Sequence, residues 1–184
     1  MLNIKRTTGF ITIWLALGLG GVLLGMQGAQ ATVTPSTQQG MRQWQANDGK
    51  LILIAGTYQD TMTYKRSLTF YFEDKPGGEW SHVPIIEGKN DHTFTWFTIS
   101  SGETTVADAV VTMQDKDIYL VKADKNPAKE ETVVTWFQFW RTGDDFPDGP
   151  AYVFKPISTK IYSKNQNLSV EQILKKEVAF KAKK

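Results

Sequence analysis

From Lys50 onward the chain breaks into short runs rich in Val, Ile, Thr, Tyr, Phe and Trp: LILIAGTY, SLTFYF, HVPII, HTFTWFTI, TTVADAVVTM, DIYLVKA, ETVVTWFQFW and AYVFKPI. Successive strand side chains point to opposite faces, so runs of this length and content suit strands. Turn chemistry separates them. DKPGGE at Asp74–Glu79, EGKND at Glu87–Asp91 and NPAKE at Asn126–Glu130 supply the Gly, Pro and Asn that turns use, and Gln114–Asp117 has the length of a tight hairpin. The expectation is an all-β fold of about eight strands, either a single antiparallel β-sandwich or an open barrel.

Within Thr132–Trp140, Val133, Thr135, Phe137 and Phe139 share one face, and Val134, Trp136, Gln138 and Trp140 share the other. Apolar residues on both faces mark a central strand, or one whose outer face carries an exposed aromatic patch. The period changes near the end of the chain. Ser169 with Gln172 three residues later forms a capping-box pattern, and Val170, Ile173, Leu174 and Val178 follow at helical spacing. One C-terminal amphipathic helix over about 169–182 is expected, covering an open end or face of the sheet. Its lysines crowd the last turn, where they suit the helix dipole.

The first 31 residues stand apart. Lys5 and Arg6 precede the apolar stretch Phe10–Met26, and Ala29-Gln30-Ala31 has the small-x-small form of a cleavage site. The expected organisation is a signal peptide over 1–31, a polar flexible lead-in over 32–45 and a β-sandwich domain with its helix over 46–184. That places the protein in the periplasm, with no membrane attachment after cleavage. An uncleaved anchoring helix is the competing reading, and the polar residues that follow the apolar run argue against it.

Composition narrows the chemistry. The chain has 21 basic and 19 acidic residues, and Lys5 and Arg6 account for the excess, so residues 32–184 are formally neutral. A neutral domain has no overall electrostatic reason to bind nucleic acid or an acidic membrane surface. No cysteine is present. Disulfides, thiol catalysis and Cys-based zinc sites are therefore excluded, and a buried apolar core must hold the fold.

A catalytic set is hard to find. His82 and His92 lie in neighbouring strand candidates that could pair and converge on a metal with Glu87 or Asp91, but strand histidines on a solvated face are commoner. There is no Gly-x-Ser-x-Gly, and no Ser-x-x-Lys after residue 31. A carboxylate pair of the glycosidase kind has no positive support. In TGDDFPDGPAYVF, Asp144, Asp145 and Asp148 beside Gly149 offer hard oxygen ligands for calcium, yet the EF-hand spacing and distal Glu are missing. Asp and Gly are also what a plain turn prefers, and a turn stiffened by Pro147 and Pro150 is the favoured reading. Aromatics concentrate in three strand candidates. Trp96, Trp136, Trp140 and Tyr152 are the candidate binding residues, to the extent that they are not consumed by core packing.

The order of features from Trp96 to Phe154 adds a resemblance. WFTISSGETTVADAVV, then IYLVKADK, then ETVVTWFQFW, then GDDFPDGPAYVF resembles the second half of the periplasmic carbapenem self-resistance (CarG-like) proteins. Ser101, Gly102, Asp108, Ala123, Asp124, Asp148, Gly149, Pro150, Tyr152 and Phe154 match the family pattern as architectural positions. Thr104 and Thr105 stand where members often carry a cysteine. The resemblance implies a sandwich-like periplasmic protein, without cofactor, that protects the cell from a β-lactam without hydrolysing it. Its partner would be the β-lactam itself or a periplasmic protein near the drug's target, and a homodimer is compatible with this. The alternative is a periplasmic immunity or inhibitor protein that binds a toxin or a cell-wall-degrading enzyme, since exposed aromatics and loops on a small β domain suit protein contact.

Overall fold

The computed structural model describes residues 34–35, 39–59, 62–89, 91–101, 104–143 and 149–179. The segment 1–31 read as a signal peptide lies outside them, as do Asp144, Asp145 and Asp148. Twelve strands form one sheet: β1 (Thr34–Pro35), β2 (Gly40–Ala46), β3 (Gly49–Gln59), β4 (Thr63–Glu73), β5 (Trp80–His82), β6 (Ile85–Gly88), β7 (Asp91–Thr93), β8 (Thr95–Ser101), β9 (Thr104–Gln114), β10 (Asp117–Asn126), β11 (Glu131–Arg141) and β12 (Tyr152–Ser163). Helix α1 (Val170–Ala179) follows.

The fold is all-β with one C-terminal helix, as the alternation predicts, but with more strands than about eight. Two of the predicted runs are each divided. HVPII splits into β5 and β6 because Pro84 has no N–H to continue a ladder, and HTFTWFTI bends at Phe94 between β7 and β8. The other two additions lie in the stretch read as a flexible lead-in. β1 pairs with Val110 and Val111, and β2 pairs with β3 from Gly40 to Ala46. The ordered sheet therefore begins before residue 46, and buried Trp44 anchors β2 in the core.

The strand order is β2-β3-β4-β8-β9-β10-β11-β12-β6-β7. The sheet curls because β4 gives its first half to β8 and its last three residues to β5. The segment after β5 then bridges two distant strands: Val83 N–H donates to Phe70 O at 2.9 Å, and Phe154 N–H donates to Pro84 O at 2.8 Å. β4 and β12 are thus stitched together at one end. Beyond Phe154, β12 pairs only with β11 among the described residues.

The curl creates two packed layers on either side of β9–β12. Inside, Leu51, Leu53, Leu68, Phe70, Phe72, Ile118, Leu120, Phe137 and Phe154 form the main core. Fully burying each such side chain contributes about 1.5–3 kcal/mol. Outside, Val121, Ala123, Val134, Trp136 and Tyr162 pack beneath Val170, Ile173, Leu174 and Val178 of α1. β11 is therefore covered on both faces around residues 134–137, while the exposed Trp140 leaves an aromatic on its outer face at the end, so each of the two readings of its double apolar pattern holds over part of the strand. The capping box forms as expected: Ser169 N–H donates to Gln172 Oε1 at 2.9 Å, and Gln172 N–H donates to Ser169 Oγ at 3.2 Å.

The predicted turns also form. Asp115 sits at φ 57° in the two-residue β9–β10 connection. Asn126 Oδ1 accepts from the N–H groups of Ala128 and Lys129, an Asx turn between β10 and β11. Gly49 is obligatory for a different reason. A Cβ there would lie 2.2 Å from Glu73 O, so only glycine allows β2 to turn into β3 against β4.

Candidate binding site

The inward face of β10 reads Ile118, Leu120, Lys122, because residues two apart share a face. The first two are core residues, and the third is a lysine only 4% exposed. Its ammonium lies 4.6 Å from the centroid of the Trp96 ring on β8 and 5.6 Å from that of Phe137 on β11. A buried ammonium needs a counter-charge, since desolvating it alone is prohibitive. Glu87 of β6 supplies it, through an ion pair with Lys122 Nζ.

Glu87 arrives from β6, a short strand whose first residue, Ile85, is buried in the core and whose end reaches solvent. β6 pairs with β12 through one parallel bridge, Ile85 opposite Phe154, next to the Phe154–Pro84 and Val83–Phe70 backbone bonds, and its other neighbour is the three-residue β7. The ladder between them is irregular after Ile86. Glu87, Gly88, Lys89, Asp91 and His92 are exposed, and the Glu87 side chain keeps 30% of its surface in solvent against 5% for Lys122. Thr93 Oγ1 donates to the second Glu87 oxygen at 2.6 Å. Burial alone would raise the Glu87 carboxyl, but the bonds from Lys122 and Thr93 and the Lys122 charge hold it below the usual carboxylate range.

Asp124 follows Lys122 on the same face of β10. Desolvation pushes its carboxyl upward, the Lys122 charge pulls against this, and the Glu87 charge adds to the rise. The Lys122 ammonium is thus held by one carboxylate, that of Glu87, against the packed rings of Trp96 and Phe137, with exposed Asp124 next along the strand. Chemically, this arrangement satisfies a buried ammonium with one carboxylate and two aromatic faces.

The four aromatic candidates occupy four different surroundings. Trp96 is in this site. Trp136 is buried under α1, edge-on to Tyr119 at 5.8 Å, with Nε1 donating to Glu177 Oε2 at 3.0 Å. Trp140 is 47% exposed at the end of β11, with Lys155 Nζ 5.7 Å from its ring centroid. Tyr152 packs on Phe72 at 3.9 Å and stacks on Phe139 at 5.4 Å, beside a pit of about 110 Å³ that Asp48 and Arg141 also line. Burial raises the Tyr152 hydroxyl above its ordinary range; Arg141 lowers it, and Asp48 and Asp74 raise it further.

The histidines do not share a ladder. His82 stacks on Tyr71 at 4.5 Å within the β4–β5 pair, whereas His92 lies opposite Ile86 in the β6–β7 pair. Among the described residues no group of three or more His, Asp or Glu is placed to hold a metal ion.

Sequence reasoning missed Lys122 and the role of Glu87. The signal for Lys122 was present, as a lysine at an inward position of a strand apolar on both faces. The sequence offers Glu87 only as a metal ligand beside the histidines; nothing in its turn points to Lys122, 35 residues on.

Comparison with known proteins is sparse. No protein-family model matches the chain, and no curated protein sequence matches it. A solved structure, described as the crystal structure of CarG, superposes with a TM-score of 0.58 and 25% sequence identity, covering 76% of this chain and 98% of CarG.

Proposed function

This chain is distantly related to CarG, and from that relationship we propose that it is a periplasmic protection factor against carbapenems that acts by binding and not by hydrolysis. The observation that carries the reading is the likeness to CarG across nearly its whole length, together with the Trp96–Phe154 motif order. The leader pattern over 1–31 supports export. Non-enzymatic action is favoured by the content of the candidate site. Lys122 is engaged by Glu87 and by two aromatic rings, an arrangement made for holding charge.

The direct test is the carbapenem inhibitory concentration in a susceptible Gram-negative host. It compares the full chain, a Thr32–Lys184 version retained in the cytoplasm, and an empty vector. A rise confined to the exported form is the expected result, and no rise with any form removes the proposal. Purified protein incubated with a carbapenem should leave the β-lactam absorbance unchanged; turnover would instead make it an enzyme.

A second reading, an immunity or inhibitor protein, is favoured by one surface. On the outer face of β2–β3–β4–β8, Met41, Ile54, Tyr58 and Phe97 are 56%, 40%, 60% and 42% exposed. Tyr58, Phe97 and Ile99 also line an almost wholly apolar groove with Lys65 at its side. Contiguous apolar surface of this kind marks protein contact sites. Recovery of a single tight periplasmic protein partner, with no change in drug susceptibility, would place this reading first.

A further inference from the structure

Helix α1 leaves one end of the outer sheet face uncovered. Lys125 of β10, Thr132 of β11 and Tyr162 of β12 lie in register with one another, one outward-facing row beyond Ala123 and Val134, which pack beneath the helix. Glu171 in the first turn of α1 bonds to Thr105 of β9, so the connection that leaves β12 at Ser163 crosses the end of the sheet to reach the helix. Between that connection and the β10–β11 turn lies a cleft of about 400 Å³. Thr132 and Tyr162 line it from the sheet, and Leu168 and Ile173 give it an apolar wall. A cleft of this size accommodates a small organic molecule.

Two polar groups indicate what the cleft takes. Thr132 is only 6% exposed, yet its hydroxyl makes no hydrogen bond among the described residues. Valine has the same branched shape and suits a strand equally well, so packing does not account for the hydroxyl. The Lys125 ammonium also has no partner among the described residues, whereas Lys164 is paired with Glu130 across the rim. The charges that line the cleft therefore sum to one positive, carried by Lys125. We propose that this cleft binds a small organic monocarboxylate with an apolar body. Lys125 takes the carboxylate, the Thr132 hydroxyl donates to a ligand oxygen, and Leu168 and Ile173 contact the body. Carbapenems carry one such carboxylate, so the inference deepens the protection reading and rests on it for the identity of the natural ligand. The Lys122 pair, on the inner face of the same strands, takes no part.

A binding role separates from a structural one by the sign of its effects. Thr132→Val keeps the shape and removes the hydroxyl, so it should weaken binding about ten-fold while Tm stays at or above that of the parent. Thr132→Ser restores the hydroxyl and should bind within about three-fold of the parent. Lys125→Glu reverses the charge that receives the carboxylate and should weaken binding about ten-fold. Added salt should weaken binding as well, because Lys125 and the Lys164–Glu130 pair are exposed. A hydroxyl that serves only the strand predicts no loss of affinity for Thr132→Val.

The experiment titrates meropenem and, separately, benzoate into the isotope-labelled exported protein and its Lys125→Glu, Thr132→Val and Thr132→Ser variants, with amide NMR shifts as readout and thermal denaturation as the folding control. Shifts concentrated over residues 125–132 and 163–173, weaker binding by Lys125→Glu and Thr132→Val, and recovery by Thr132→Ser are expected. Shifts centred elsewhere, a folded Lys125→Glu or Thr132→Val variant that binds as the parent does, or no binding of either probe at millimolar concentration overturns the site. The two readings fail separately. Protection of the host that Lys125→Glu leaves intact, with meropenem shifts outside the cleft, removes the site alone. Benzoate shifts in the cleft that Lys125→Glu abolishes, with neither meropenem binding nor protection by the parent, remove the carbapenem reading alone.

Discussion

Glu177 on α1 and Lys122 on β10 lie on opposite sides of the same strands, and both are buried, at 8% and 4% exposure. Glu177 takes Trp136 Nε1 at 3.0 Å, Lys160 Nζ at 2.8 Å and the Tyr162 hydroxyl, all from the rigid β11–β12 pair. Lys122 takes one carboxylate from a short hairpin. The first arrangement locks an element in place, because three donors cannot all be satisfied again once the helix lifts. The second rests on one carboxylate that keeps part of its surface in solvent. Burial of a charge therefore does not identify its role; the number of partners and the attachment of the elements that carry them do.

The largest effect should come from breaking the locked side. Glu177→Ala leaves the buried Trp136 and Tyr162 donors unpaired and should cost about 3 kcal/mol, or roughly 6–12 °C in Tm for a chain of this size. Thermal denaturation measures it, and hydrogen exchange should show protection lost first over Val170–Ala179. A shift below about 1 kcal/mol would remove the contrast between the two sides.

Acid should act in the same order. Burial would raise the Glu177 carboxyl, but bonds from Lys160, Tyr162 and Trp136 and the Lys160 charge hold it below the usual range. A carboxyl depressed in the folded state contributes stability that is complete above its unfolded pKa, about 4.3. That contribution is lost as pH falls through the depressed folded value. Stability should thus decline below about pH 4, and Glu177→Gln should flatten that decline. Glu87 is depressed too, and Glu87→Gln should flatten it less, since its carboxylate has fewer donors and more solvent. Denaturant midpoints measured across pH 2–6 decide this.

The cap is a smaller contribution. Ser169→Ala removes the oxygen that accepts from Gln172 N–H and should cost about 1 kcal/mol. The smallest change should be Lys122→Met, within about 1 kcal/mol of the parent, because the Glu87 left behind can turn to water. A loss near 3 kcal/mol in a urea titration would make Lys122 a structural residue and erase the difference between the two sides.

Much of the fold was legible before any contact was known. Alternation gave the strands of β9–β12, the Ser169–Gln172 pattern gave the helix start, and the double apolar pattern of Thr132–Trp140 gave a central strand or one with an exposed aromatic, which the structure divides between its middle and its Trp140 end. Pro84 marked the place where HVPII divides, but not the partners of the two halves: Val83 bonds to Phe70 and Pro84 to Phe154, in strands distant in sequence. The site was legible in one member, Trp96. Trp136, Trp140 and Tyr152 were chosen by residue type alone, and residue type does not distinguish a ring beneath a helix from a ring in solvent.

By itself the sequence determined the local periods, the caps, the turns, the absence of disulfides and the near-neutral charge beyond residue 31, all properties of neighbours within a few positions. Tertiary structure alone decided that β6 would run beside β12 and bring Glu87 to Lys122, across a sequence separation of 35. It also decided that Glu177 would meet Trp136 across 41. Such pairings follow from the register of strands far apart in the chain, and register is fixed by the fit of whole faces in the core, which no short stretch of sequence contains.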